Sequence, residues 1–292
     1  MSALSALLEN LLDYAGLFPP AKLPLADAMR NYAAYLRGPD VTRLGRFILP
    51  VARLPEFEAV LAGLAPADRQ GWQLSVLAGP DAVADALALQ AFNNRHPGAR
   101  IVSLETKAVA PADVARQTNP FPAALEVWVE VPAAVDVTPF LAALKDAGRG
   151  AKIRTGGVTP EAFPAPDDVA RFLVACRDTG IVAKATAGLH HPLRGDYRLT
   201  YEPGAPRGTM HGFLNVFLAA ALVHAGGSAP EAATLLADTD PRNFSCAADA
   251  LGWRDHRFTA ARLTAVRRTL CRSFGSCSFT EPIEGLQKLR WL

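Results

Sequence analysis

Short runs rich in apolar and β-branched residues alternate with amphipathic stretches along most of the chain. After 14–18, read as a strand or a turn, the strand-like runs are RFILPV (46–51), WQLSVLAG (72–79), ARIVSLET (99–106) and ALEVWVEVP (124–132). GAKIR (150–154) and IVAKAT (181–186) complete the set. The stretches between them carry apolar residues at helical spacing. In PDDVARFLVACRDTG, for example, Val169, Phe172, Leu173 and Cys176 share one face and Gly180 stops the helix. MHGFLNVFLAAALVHAGG (210–227) reads as a short strand or turn running into a helix. Strands therefore fall near residues 13, 47, 74, 102, 128, 152, 183 and 211, each followed by a helix. That alternation predicts an α/β fold, a (β/α)8 TIM barrel spanning 13–227. A doubly wound open sheet is the competing layout, but no glycine-rich dinucleotide turn follows the first strand.

Residues 2–12 predict an amphipathic N-terminal helix. From about residue 228 the pattern changes to SAPEAATLLAD, NFSCAADALGW, TAARLTAVRRTLCRSFG and SCSFTEPIEGLQKL. This predicts a C-terminal helical extension (228–292) packed on the barrel within one domain, since its apolar residues argue against a disordered tail.

The chain has 292 residues, half of them hydrophobic, and a formal charge of +2. Near-neutrality gives no footprint for nucleic acid, and no apolar run reaches the ~18 residues of a membrane span. The four cysteines form no CxxC pair and no metal spacing. Reduced thiols and a cytoplasmic location are the expectation, with a small molecule as the partner and a homo-oligomer left open.

Positive charge comes mostly from arginine; there are six lysines, and two of them end adjacent strand-like runs. Lys152 and Lys184 fall near the carboxyl ends of the sixth and seventh strands, where parallel barrels keep their chemistry. Side chains alternate along a strand, so Lys152 and Arg154 point the same way and Ile153 the other. Two ammonium groups side by side disfavour each other's charge, and a neutral lysine can attack a carbonyl. Glu105 and Glu130 close their strands, placed either for proton transfer or as salt-bridge partners of the lysines. Arg154 has two readings, an anchor for an anionic substrate end or a partner of Glu130. Asp13, at the end of the first strand, is read as facing the barrel mouth or as a turn residue.

Lys152-Ile-Arg-Thr-Gly156 resembles the Lys-x-x-Thr-Gly motif on the sixth strand of deoxyribose-phosphate aldolase. Lys184-Ala-Thr-Ala-Gly188 is similar to that family's second lysine motif on the seventh strand. Asp13-Tyr-Ala-Gly-Leu resembles its opening Asp-His-Thr-x-Leu, and His211-Gly-Phe-Leu-Asn215 falls where the family binds phosphate on its eighth strand. The resemblance implies a class I lyase in which Lys152 forms the Schiff base, Lys184 lowers its pKa and no cofactor is required. The chain departs from the family at Arg154, which stands where the family has a small residue, and on the fourth strand, where the family's aspartate has no clear counterpart and VSLETK offers Glu105 a little later. It also lacks the Gly-Ser phosphate cradle. The expected substrate is therefore a small carbonyl compound carrying a carboxylate, or an uncharged sugar. His191 joins Glu105 as a candidate proton carrier; His190, His211 and Asn215 are candidate substrate contacts.

Two other chemistries compete. Glu105, His190, His191 and His211 would supply a metal site for a lyase or hydrolase, although adjacent histidines in extended backbone point apart. Lys152, Arg154 and Lys184 would also suit a barrel that binds a small anion without reaction. Cys277 has no histidine partner legible in the sequence and is read as part of a helix-capping turn.

Overall fold

In the computed structural model of the chain, which describes residues 1–133 and 135–292, eight parallel strands close into a barrel. The first seven are β1 (Leu12–Tyr14), β2 (Leu44–Pro50), β3 (Trp72–Leu77), β4 (Ala99–Lys107), β5 (Glu126–Glu130), β6 (Gly150–Arg154) and β7 (Ala183–Thr186). A two-stranded antiparallel hairpin follows, β8 (Gly195–Arg198) with β9 (Arg207–Met210). Next comes a three-stranded antiparallel sheet, β10 (Phe244–Cys246), β11 (Ala250–Trp253) and β12 (His256–Thr259). The last strand, β13 (Cys271–Ser276), lies between β7 and β1 and closes the barrel.

The fold class is the one the alternation predicts, but the barrel does not end at 227. No barrel strand lies near residue 211; Met210 ends the exposed hairpin instead. Residues 228–292 are not an added helical layer, because they supply the eighth strand. The reason lies in the helix Phe213–His224, whose residues 213–223 are all buried. A helix apolar on every side needs cover on every side. The segment after it wraps round, and β13 fills the remaining gap. Ser273 and Gly275 of that strand face inward, while Phe274 stacks outward on Phe213 with ring centroids 5.4 Å apart. CRSFGS is small and polar because its inner face meets charges, so it carries no strand-like hydrophobic run.

The N-terminal helix forms as expected, over Ala3–Leu8, with the Ser2 hydroxyl capping it. It lies against the helix Ala260–Thr269, beneath the amino ends of the strands. The main apolar core is the layer between barrel and outer helices, seen in the Tyr14, Tyr32, Phe47, Phe57 and Trp72 cluster. The barrel interior, by contrast, holds charge. Among the described residues no helix is long and apolar enough to cross a membrane.

Candidate active site

β6 and β7 run in register, pairing Ala151 with Ala183, Lys152 with Lys184 and Ile153 with Ala185. Both lysines therefore project into the barrel from the same level. Beyond them the two motifs turn against each other. A Cβ placed on Gly156 would lie 2.8 Å from the Gly188 Cα, and one on Gly188 would lie 2.8 Å from the Gly156 Cα. The Thr155 hydroxyl donates to the Ala187 carbonyl at 2.7 Å and ties the turns together. Ala187 and Gly188 both have left-handed backbone, with φ of 63° and 75°, which swings the chain back over the mouth towards His190.

Inside, six charged side chains form one chain of contacts. Asp13 Oδ2 receives Lys184 Nζ at 2.7 Å, and Lys184 also donates to Glu105 Oε1 at 2.6 Å. Glu105 Oε2 accepts from Lys152 Nζ at 3.0 Å, and Lys152 reaches Glu130 Oε2 at 3.1 Å. Glu130 Oε1 then accepts from Arg154 Nε at 3.1 Å. Three carboxylates face three cations, so the network balances. Neutral donors complete it, Ser75 on Glu105, and Ser273 with the Arg46 amide on Asp13.

Burial alone would raise the Glu105 carboxyl, but the Lys184 and Lys152 ammoniums outweigh it and hold the group far below the usual carboxylate range. Glu130 is likewise lowered, with burial opposed by Lys152 and Arg154. For Lys184, burial favours the neutral amine, yet Asp13 and Glu105 prevail and its pKa is raised. Lys184 is therefore not discharged by its neighbouring lysine, as adjacency alone would suggest, because Glu105 stands between the two and pairs with both.

The two lysines differ in access. The Lys184 side chain is 0% exposed, closed off by Asp13 and Glu105. Lys152, at 5%, borders two cavities. One, of about 770 Å³, lies under the loops after β3 and β4 and is also lined by Glu130, Lys107 and Arg116. The other, of about 290 Å³, is walled by Ile48, Phe18, Val158, His190 and Cys277. Glu105, Lys152, Arg154 and Leu77 belong to both. Arg154, with its side chain 52% exposed, stands at the junction and pairs with Glu130, which satisfies one of its two readings without closing the other.

Asp13 does not face the mouth. It points into the barrel from below, beside a separate cavity among Glu9, Arg46, Arg268 and Arg272 at the amino ends of the strands. Among the candidate substrate contacts, His211 gives Nε2 to the Pro164 carbonyl (2.8 Å) and meets Arg194 through Nδ1 (3.1 Å). Burial pushes its pKa down to about 4. Asn215 donates to the Leu235 and Asp238 carbonyls and accepts from the Arg194 amide, so its amide is spent on the backbone. Neither lines either cavity, because their segment sits outside the barrel wall. His191 stacks on Tyr197 at 3.6 Å and is also outside both cavities, with burial and the His190 charge lowering it to about 4. It is not placed to carry protons at Lys152.

His190 and His191 ring centroids stand 6.5 Å apart, and no group of three or more metal-ligating side chains converges among the described residues. The four residues considered for a metal do not form one site. Ser75, Ser273 and Glu281 were not foreseen, and Cys277, read as part of a capping turn, has a histidine neighbour in His190 at 3.9 Å. A lone serine inside WQLSVL was a usable signal for Ser75, whereas Ser273 and Glu281 follow from β13 and have none.

Compared with protein-family models, curated proteins and solved structures, the chain matches none.

Proposed function

We propose that this barrel makes or breaks a carbon–carbon bond in a small carbonyl compound through a Schiff base on Lys152. The observation that carries the reading is the position of Lys152, a buried amine flanked by two carboxylates at the meeting point of two cavities. A lyase needs room on both sides of the carbon it activates, one side for each fragment. Barrels of this kind hold their active sites at the carboxyl ends of the strands, and many enzymes share the architecture.

Lys152 lies between Glu105 and Glu130, and it adds to a carbonyl carbon as the neutral amine, with solvent carrying the proton. The carbonyl oxygen then leaves as water, and the resulting iminium carries the same positive charge at the same place. Glu105 and Glu130 thus stabilise the iminium as they stabilised the ammonium, in a preorganised, largely dry site. Loss of an α-proton, or cleavage of the adjacent carbon–carbon bond, sends its electron pair into the iminium and gives an enamine. Glu105 is too weak a base to take those protons, and its part is electrostatic. Lys184 and Asp13 hold it ionised and fixed from below. Arg154 suits a carboxylate or other anionic end of the substrate, exchanging Glu130 for a bidentate ligand.

Borohydride reduction in the presence of acetaldehyde, acetone or pyruvate, followed by intact mass and peptide mapping, tests this. The expected outcome is a stable adduct on Lys152 that disappears in Lys152→Ala. An adduct on Lys184 would exchange the two roles. Absence of any adduct would defeat the Schiff-base reading and leave the six charges as a structural network.

A further inference from the structure

The proposed chemistry leaves proton transfer at the bond-forming end without a residue, since Glu105 and Glu130 are held ionised and His191 is turned away. The 290 Å³ cavity contains one side chain equipped for it. His190 follows the turn after β7 and lines that cavity together with Lys152. Its Nδ1 meets Glu281 Oε2 at 3.1 Å and Cys277 Sγ at 3.9 Å. Tyr201 donates to the same Glu281 oxygen at 3.0 Å and stands 3.6 Å from the sulfur. Both partners use Nδ1. Among the described residues Nε2 has no hydrogen-bond partner, yet it is not sealed off among the buried unpartnered polar atoms. A cavity-lining imidazole with Nδ1 fixed by a carboxylate and Nε2 left without a protein partner is how this side chain is prepared for acid–base work.

We propose, building on the Schiff-base reading, that His190 is the general acid–base for the aldehyde fragment, with Glu281 as its positioning residue. In the synthetic direction, the enamine on Lys152 attacks the aldehyde carbon. The carbonyl π pair moves to oxygen, and that oxygen takes the proton from His190 Nε2. Cleavage runs the same steps backwards, with neutral His190 accepting the hydroxyl proton as the carbon–carbon pair returns to the iminium. After cleavage the enamine carbon takes a proton from solvent, which restores the iminium, and water hydrolyses it; in the synthetic direction water hydrolyses the product iminium directly, so no other reactant is needed. The apolar Ile48, Phe18 and Val158 wall suits a small aldehyde rather than a second anion.

Burial would lower His190, but the Cys277 and Glu281 contacts dominate and raise it to about 9, which makes it a proton donor at neutral pH. The charged and titratable groups about it are Cys277 and Glu281 from the segment after β13, Tyr201 from the loop between β8 and β9, and His191 beside it. Lys152 and Arg154 face the same cavity.

The test uses the full-length protein with acetaldehyde or pyruvate as donor and glyceraldehyde as acceptor. His190→Gln is expected to keep borohydride trapping and exchange of the donor methyl protons in D2O, which proceed on the Lys152 iminium with solvent water as the base. Carbon–carbon bond formation should drop about a hundred-fold or more. Glu281→Gln should retain part of the activity and move the alkaline limb of its pH profile to lower pH, because the proton-donating form of His190 then ends earlier. A purely structural Glu281 would lower the rate without moving that limb. Bond formation undiminished in His190→Gln, or an unmoved limb in Glu281→Gln, overturns the proposal. Loss of trapping in His190→Gln does so too, by placing the residue at the donor step. Failure of trapping in the unaltered protein would instead bring down the Schiff-base reading and this proposal with it.

Discussion

Glu105 is the residue on which the barrel interior depends, because among the described residues it alone pairs with both lysines. It accepts from Ser75, Lys152 and Lys184 while 2% exposed. Removing one partner of a buried pair leaves an uncompensated charge, at a cost of about 3–5 kcal/mol. Lys184→Met should therefore unfold at markedly lower urea, since Asp13 loses its cation and Glu105 loses one of its two. Asp13→Asn in the same chain should recover part of that loss, because the Asp13 charge no longer lacks a partner. A double-mutant cycle by urea unfolding measures the coupling, expected at about 1–3 kcal/mol. Additive losses would mean that the Asp13–Lys184 pair contributes little. The motif residues were legible as chemistry, since lysines ending adjacent strands are scarce in an arginine-rich chain. Their shared partner was not, because it is a carboxylate from β4, three strands round the barrel from β7.

The turns after β6 and β7 work as one element. Gly156 and Gly188 touch, and the hydroxyl of Thr155 joins the two loops. The glycines that end both lysine motifs are explained by this approach of two backbones, not by turn preference alone. Gly156→Ala would put a methyl group 2.4 Å from the Phe163 ring and 2.8 Å from the Gly188 Cα, so the β7 turn must move. We expect a loss of roughly 1–3 kcal/mol from overpacking. Slower borohydride trapping should accompany it, because the turn that closes the cavity beside Lys152 shifts. Unfolding and trapping assays on the purified variant check both; unchanged trapping would separate the turn from the site.

At the scale of the whole molecule, buried titratable groups set a pH window for stability. His211 and His191 have folded pKa values near 4, below the ordinary histidine value of 6.5. Their neutral forms are favoured by folding, so their contribution is full above pH 6.5 and declines as pH falls towards 4. For His211, with no exposure, the full effect is on the order of 3 kcal/mol. Glu105 and Glu130 are lowered, so their contribution is complete above about 4.5 and is lost as pH falls through their folded values. Lys184 is raised, and its contribution is lost only as pH rises past 10.5. Urea unfolding should therefore weaken from pH 6.5 downward, and His211→Asn should flatten the slope between pH 6.5 and 4 while lowering stability at neutral pH. An unaltered slope would assign that acid sensitivity elsewhere.

Periodicity along the chain determined the α/β alternation, seven of the eight barrel strands and the adjacency of Lys152 and Lys184. These follow from local rules, since strand runs, helical faces and glycine stops each lie within one element. Tertiary structure decided which segment closes the barrel. CRSFGS pairs with strands far away in sequence and faces charges, so it carries no hydrophobic signature of its own. By putting β13 beside β7, the fold also brought Cys277 and Glu281 to His190 and removed His211 and Asn215 from the mouth. Which charges meet inside a closed barrel depends on strand order and register around the whole ring, and no single stretch of sequence contains that information.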